Sequence, residues 1–208
     1  QLSKSELERL SRAYIQAFAR TVGPDRDIPA PDVYTNAMIM GWMADEYSQI
    51  VGSVSPAVIT GKPIALGGSL GRNDATARGG FYLVRHLAKE LGLDKDHTVA
   101  IQGFGNAGQF YAQLTAADGN SVVAVSDSTG ALHRPGGLDV AKLIDGKNSG
   151  RRVTDMASEL GAQVISPEDL LSVEADLLVP AALEDMITKD NAGSIKAKVL
   201  LELANGPV

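Results

Sequence analysis

The sequence predicts an α/β protein built around a doubly wound sheet, and three observations carry that reading. Short apolar runs at 98–102, 121–126, 162–165, 176–179 and 199–203 alternate with helical stretches. Runs that are apolar throughout, rather than at every second residue, suit strands buried on both faces, which belong to parallel sheets covered by helices. The first run ends in Gly103-Phe104-Gly105-Asn106-Ala107-Gly108, a glycine-rich turn set between a strand and a helix. An acid, Asp127, closes the second run about 19 residues after Gly108, near the roughly 20 of a dinucleotide-binding crossover. The resulting fold class is a Rossmann-like doubly wound sheet preceded by a helical remnant of another domain.

Before the strands come three helices. Ser3 and Glu6 have capping-box spacing, and Leu7, Leu10, Tyr14 and Phe18 follow at intervals of three and four, which predicts an amphipathic helix ending near Gly23-Pro24. GPDRDIPAPD at 23–32 holds three prolines and three aspartates and reads as a stiff loop. A second helix is expected over 34–50, with Met38, Ile39, Trp42, Met43, Glu46 and Tyr47. Residues 52–72, rich in Gly, Pro and Ser, form the boundary region. A third helix runs over 74–91 and stops at Gly92. Between the later strands, helices are expected at 106–117, 139–144, 152–160, 167–171 and 183–187.

Composition narrows the function. The 208 residues are 44% hydrophobic and 21% charged, enough to bury a core. The formal net charge of −6, with no basic run, argues against nucleic acid and against an anionic membrane surface. No apolar run approaches the roughly 20 residues that cross a bilayer. There are no cysteines, which removes disulfides, thiolate metal sites and a cysteine nucleophile and fits a cytoplasmic protein. The chain opens at Gln1 without a methionine and closes at Pro207-Val208 just after an apolar run, so a piece of a longer protein is expected.

The glycine turn carries the chemistry. Gly103 permits a tight turn, the missing side chain at Gly105 lets backbone approach a pyrophosphate, and Gly108 lets the helix pack close to the sheet. The N-terminus of that helix offers unpaired N–H groups and partial positive charge to phosphates. Asp127 accepts hydrogen bonds from adenosine ribose hydroxyls, which favours NAD; a 2′-phosphate needs a compensating cation, with Arg134 and Arg151 as unplaced candidates. The competing account makes Asp127 a surface turn residue in SDSTG.

Other residues are weighed in the same way. Asp32, whose backbone is fixed by the prolines at 29 and 31 and which precedes a helix, is either a proton carrier or an N-cap. Lys62 reads as a loop lysine. His86, His97 and His133 lack metal-ligand spacing, and no metal site is expected. Met38, Met40 and Met43 read as packing. Asp25 and Asp27 read as solvated. Ser69 and Ser126 have no partner base in evidence.

GPDRDIPAPDVYTNAMIMGWMADEY, TGKPIALGGSLGRNDATARGG, VAIQGFGNAGQ and LELANGPV, in that order from Gly23 to Val208, resemble the glutamate dehydrogenases, within the superfamily that includes the leucine, valine and phenylalanine enzymes. The resemblance implies NAD(P)-dependent interconversion of glutamate and 2-oxoglutarate plus ammonia, with NADP or dual use left open. It implies a homo-oligomer, hexameric at full length. It makes Asp32 the catalytic aspartate, places Arg72 at the substrate and Thr76 at the nicotinamide amide, and lines the nicotinamide riboside pocket with Ala181, Ala182 and Asn205. Phe104, Asn106, Ala107 and Ser128 join the cofactor-binding set with the glycines and Asp127. Residues 1–66 are then part of a substrate-binding and oligomerisation domain, and 67–208 an NAD(P)-binding domain without its C-terminal end. The family's P-x-G-G-x-K-G catalytic-lysine motif and its C-terminal segment are absent from these 208 residues. The alternatives are another amino-acid dehydrogenase and a non-catalytic dinucleotide-binding regulatory subunit.

Overall fold

The computed structural model describes residues 2–32 and 34–208; Gln1, where the chain opens, and Val33, inside the quoted proline-rich stretch, lie outside them. The chain packs as two units, 1–73 and 74–208.

In the first unit the expected capping box starts α1 (Lys4–Phe18): the Ser3 hydroxyl accepts from the Glu6 N–H, and the Glu6 carboxylate accepts from the Ser3 N–H at 2.8 Å. α1 packs against α2 (Ala37–Val51) over a core of Ile15, Ile39, Met40, Ala44 and Tyr47. The expected apolar stripe is not the buried face. Leu10, Tyr14 and Phe18 are about half exposed, whereas Ser11 and Ile15 are buried. Ser11 tolerates this because its hydroxyl donates to the Leu7 carbonyl at 2.7 Å. Next to it Arg12 donates to Asp45 and Glu46 of α2 at 2.6 and 3.2 Å and orients the helix pair. α2 starts three residues later than expected. Tyr34 has a left-handed φ of +60°, outside helical space, and the side chain of Asn36 caps the helix by accepting from Ile39 N–H. Met40 is in the core, while Met38 is partly exposed.

The second unit opens with α3 (Ala75–Leu87), which ends four residues earlier than expected; a turn carries the chain on to Gly92, at φ +65°. β1 (Thr98–Gln102) and α4 (Asn106–Ala117) fall where expected, and β2 (Ser121–Asp127) runs one residue longer. A short β3 (Gly130–His133), not anticipated, then doubles back on β2. α5 (Val140–Asn148) extends four residues beyond expectation. The 152–160 helix is a 3₁₀ turn at Thr154–Met156 followed by the one-turn α6 (Ala157–Leu160), and 167–171 is a 3₁₀ turn at Asp169–Ser172. The sheet is completed by β4 (Gln163–Ile165), β5 (Leu177–Pro180) and β6 (Val199–Leu200). No helix forms over 183–187: Asp185 takes φ +54°, and the N–H groups of Asp185 and Ile187 donate instead to the carbonyls of Gly206 and Pro207.

The strand order is β4-β3-β2-β1-β5-β6, with only β3 running against the others. One face carries α3, α4 and α5, which bury Phe81, Tyr111 and Leu143 against Ile101, Val125 and Val179. The other is not covered by helices as expected. Leu170 and Leu171 of the 3₁₀ turn and Ile187 of an irregular segment cover Ala100, Ala124 and Leu178 there. A register shift opposite Val99 and Ala100 lets consecutive Val123 and Ala124 both face that side.

Where β1 and β5 begin, Asp176 binds them together. One carboxylate oxygen accepts from Thr98 N–H and hydroxyl at 2.9 and 2.8 Å, and the other accepts from Lys198 at 2.7 Å. The Lys198 hydrogen bond, followed by that from Thr98 N–H, pulls the carboxyl from its ordinary 3.8 down to about 2. Because the folded value lies below the unfolded one, this contribution to stability is complete above pH 3.8 and is lost as pH falls towards 2. In acid denaturation Asp176→Asn should therefore lose less stability across that window than the parent chain, while being less stable at pH 7. On α4, the Tyr111 hydroxyl is fully buried without a hydrogen-bond partner, and its burial pushes the phenol's pKa up. Tyr111→Phe should leave stability unchanged or raise it by about 1 kcal/mol in urea unfolding.

Candidate functional site

β1 lies between β2 and β5, so the chain winds one way through α4 to β2 and later returns on the other side to β5. The gap between such connections, beyond the C-terminal end of the central strand, is where open α/β sheets hold ligands. The turn 103–108 occupies that place. Gly103, at φ +97°, donates to the Ser126 carbonyl at 3.1 Å, as does Phe104, so the turn is laced to the end of β2. A methyl group on Gly103 would lie 2.8 Å from the backbone of Ala181 and Ala182, and one on Gly108 would lie 1.9 Å from the Gly103 carbonyl oxygen. Both glycines are demanded by packing.

Gly105 differs. Its backbone is extended, and a methyl group there would meet nothing within 4 Å. It is the N-cap of α4, and no side chain caps that helix end. The start of α4 therefore has no side-chain cap at Gly105 and has room beside it, the setting in which a helix N-terminus receives a phosphate. A dinucleotide's pyrophosphate fits these residues: there is room at Gly105, and no side chain of the cap competes for the helix start.

The other expected cofactor residues distribute as follows. Ala181 donates to the Gln102 carbonyl at 2.7 Å, and Leu203 and Ala204 donate to the Pro180 carbonyl, which brings Asn205 to the same end of the sheet as Ala181 and Ala182. Ser128 is exposed in the turn after β2. Thr76 is exposed in the first turn of α3. Asp32 and Arg72 belong to the first unit and line different cavities there. Asp32 is not an N-cap, the role Asn36 takes. Its backbone N–H donates to the Thr35 hydroxyl at 2.7 Å, and that hydroxyl donates back to the Asp32 carbonyl.

Asp127 is not the exposed turn residue of the competing account; its side chain is only 11% exposed. One carboxylate oxygen accepts from Thr129 N–H and hydroxyl at 2.8 and 2.5 Å, the other from Lys147 at 2.7 Å and Val153 N–H at 3.3 Å. Burial pushes this carboxyl up, but the bonds from Lys147 and Thr129 outweigh it and hold it below the usual range. The cation paired with Asp127 is thus Lys147. Arg151 is turned away to Glu159, and Arg134 is exposed. Sequence reading missed Lys147 because the helix was ended at Ile144, one turn short of it. Lys62, expected as an ordinary loop lysine, is buried.

The two outer glycines and the middle one should separate in experiment. Gly108→Ala, which forces a methyl group into a backbone oxygen, should cost about 1–3 kcal/mol or more in chemical denaturation. Gly105→Ala should stay within about 1 kcal/mol of the parent, and equal losses for both would contradict the geometry.

Comparison with known proteins agrees with this arrangement. The family model described as Glutamate/Leucine/Phenylalanine/Valine dehydrogenase matches residues 67–208, and that of the Glu/Leu/Phe/Val dehydrogenase dimerisation domain matches 1–49. The chain is 49% identical to an NADP-specific glutamate dehydrogenase of Synechocystis sp., covering 100% of this chain and 50% of that protein. It is 48% identical to the cryptic catabolic NAD-specific glutamate dehydrogenase GudB of Bacillus subtilis, over 99% of this chain and 48% of the relative. It spans about half the length of these relatives. Among solved structures, a hetero-hexameric glutamate dehydrogenase of Thermus thermophilus in its leucine-bound form superposes with a TM-score of 0.89 at 38% identity, over 99% of this chain and 49% of that one. With a doubly wound sheet, an open phosphate-type turn at its switch point and these matches along its length, the chain belongs to the glutamate/leucine/phenylalanine/valine dehydrogenase family.

Proposed function

We propose that this chain is the middle part of an NAD(P)-dependent glutamate dehydrogenase, which converts L-glutamate oxidatively to 2-oxoglutarate and ammonia. Residues 1–66 are its part of the substrate domain and 67–208 its cofactor domain. The observation that carries the reading is the uncapped start of α4 at Gly105, open to ligand at the switch point of the sheet. Relatives at 48–49% identity that are themselves NAD- or NADP-specific glutamate dehydrogenases support the substrate and the cofactor. The oligomer is one of identical chains, a hexamer at full length, and the protein works in the cytoplasm. The match of residues 1–49 to a dimerisation domain supports assembly, and among the described residues no helix is long and apolar enough to cross a membrane.

When bound, a nicotinamide dinucleotide supplies the acceptor for a hydride from the substrate Cα. The start of α4 at Asn106 and Ala107, with Gly103, Phe104, Gly105 and Gly108, holds the pyrophosphate. Thr76, Ala181, Ala182 and Asn205 position the nicotinamide end, and Asp127 and Ser128 the adenosine ribose. Arg72 holds a substrate carboxylate, and Asp32 moves a proton at the substrate amino group. The four lone-pair directions of the Asp127 carboxylate are already engaged, two by Thr129 and two by Lys147 and Val153 N–H. It therefore acts on the ribose as one half of an ion pair, and its repulsion of a 2′-phosphate is offset by Lys147. NAD is the favoured cofactor, with NADP accepted.

Titration of the 208-residue chain with NADH and NADPH, followed by cofactor fluorescence, tests this. Both should bind saturably, NADH more tightly. Lys147→Met should weaken NADPH by roughly tenfold and NADH much less. The same chain should form no NADH from glutamate, because the family's lysine motif is not in it. Failure to bind either cofactor would overturn the reading.

A further inference from the structure

The first unit contains a cavity of about 440 Å³ whose charged lining is two cations, Lys62 and Arg72. Among the described residues no acid lines it, and neither cation forms an ion pair, in a chain of formal net charge −6. Lys62 is only 9% exposed. Its ammonium donates to the Ile59 carbonyl at 2.8 Å, and an ammonium has three N–H donors, so most of its donor capacity is left for another acceptor. A buried cation satisfied by one neutral carbonyl is costly unless an anion joins it.

The wall that holds these groups is stiff. Gly61 and Gly67 take left-handed φ of +69° and +84°, and Gly68 folds back so closely that a methyl group on it would lie 2.1 Å from the Lys62 carbonyl oxygen. The Gly68 N–H donates to the Pro63 carbonyl at 3.1 Å and closes the loop. Ser69 adds a hydroxyl to the same lining.

We propose that this cavity binds a carboxylate of a short dicarboxylic acid, with Lys62 as a second cation beside Arg72. The class of acid rests on the function proposed above; the charge and burial of the cavity do not. The competing role for Lys62 is a strut that only satisfies the Ile59 carbonyl, and the two roles differ in what happens when the charge is removed while a donor is kept.

The test is calorimetric titration of the 208-residue chain with glutarate, an unreactive dicarboxylate, and separately with inorganic phosphate. Lys62→Met keeps the aliphatic stem, Lys62→Gln keeps a donor for Ile59 without the charge, and Lys62→Arg keeps the charge. Circular dichroism monitors the fold and NADH affinity is measured in parallel. Saturable glutarate binding that weakens by roughly tenfold or more in Lys62→Gln and Lys62→Met, and is largely kept in Lys62→Arg, is the expected result. If Lys62→Met loses its fold, Lys62→Gln alone decides. Parent-like glutarate affinity in Lys62→Gln, no glutarate binding by the parent, or phosphate binding as tight as glutarate overturns the proposal. Loss of NADH binding by the parent would strike the cofactor reading alone, because the glutarate result is judged without cofactor.

Discussion

A close approach of backbone to backbone, where the chain leaves β1 and enters α4, is the constraint on which the second unit depends. Gly108 has no room for a methyl group against the Gly103 carbonyl, and Gly103 has none against Ala181 and Ala182. With side chains at these positions, α4 could not start directly above the end of its strand. Tyr111 and Ala112 would not reach the sheet, and the crossover to β2 would lose its anchor. Gly105, which nothing crowds, leaves the helix start between these two close approaches without a side-chain cap. Packing and ligand capacity meet in one short turn: Gly103 and Gly108 let the helix descend, and Gly105 between them leaves its N-terminus without a side-chain cap.

Two aspartates hold opposite ends of the sheet by the same means. Asp176 ties the starts of β1 and β5 through Thr98 and Lys198, and Asp127 ties the end of β2 to α5 through Lys147 and to Val153. Each is engaged through both oxygens, Asp176 by donors distant in sequence and Asp127 by the nearby Thr129 as well as the more distant Lys147 and Val153, and each is held below the usual carboxylate range. Their consequences differ with position. Asp176 sits away from the switch point and contributes to strand register. Asp127 sits beside it, so the ion pair that completes its shell also sets the local charge that a ribose or a 2′-phosphate would meet.

The first unit shows how polar and apolar demands share one helix. α1 turns Ser11 and Ile15 inward because Arg12 bonds to the acids of α2, and Leu10, Tyr14 and Phe18 are left half exposed as a result. Tyr14 and Phe18 cover each other in part, with ring centroids 4.7 Å apart. In the same unit the loop of Lys62 is folded by glycines in left-handed conformations, so a residue that looks ordinary in sequence is buried.

Local signals in the sequence determined the elements they act on directly. The Ser3–Glu6 box placed the start of α1, because a cap works within one turn. The strand at 98–102 and the helix that begins inside GFGNAG fall where the sequence places them, because strand burial and the glycine turn are short-range patterns. Tertiary structure decided what depended on distant partners. β3 exists because Ala131 and Leu132 find β2 and Ile165 to pair with, and four residues of GALH alone carry no such signal. Residues 183–187 are not helical because 206–207 take their N–H groups. Lys147 and Lys62 acquired their surroundings from contacts 20 residues away and from a folded glycine loop. Periodicity reports which residues prefer burial, but it does not report which donor reaches which acceptor once the chain has closed on itself.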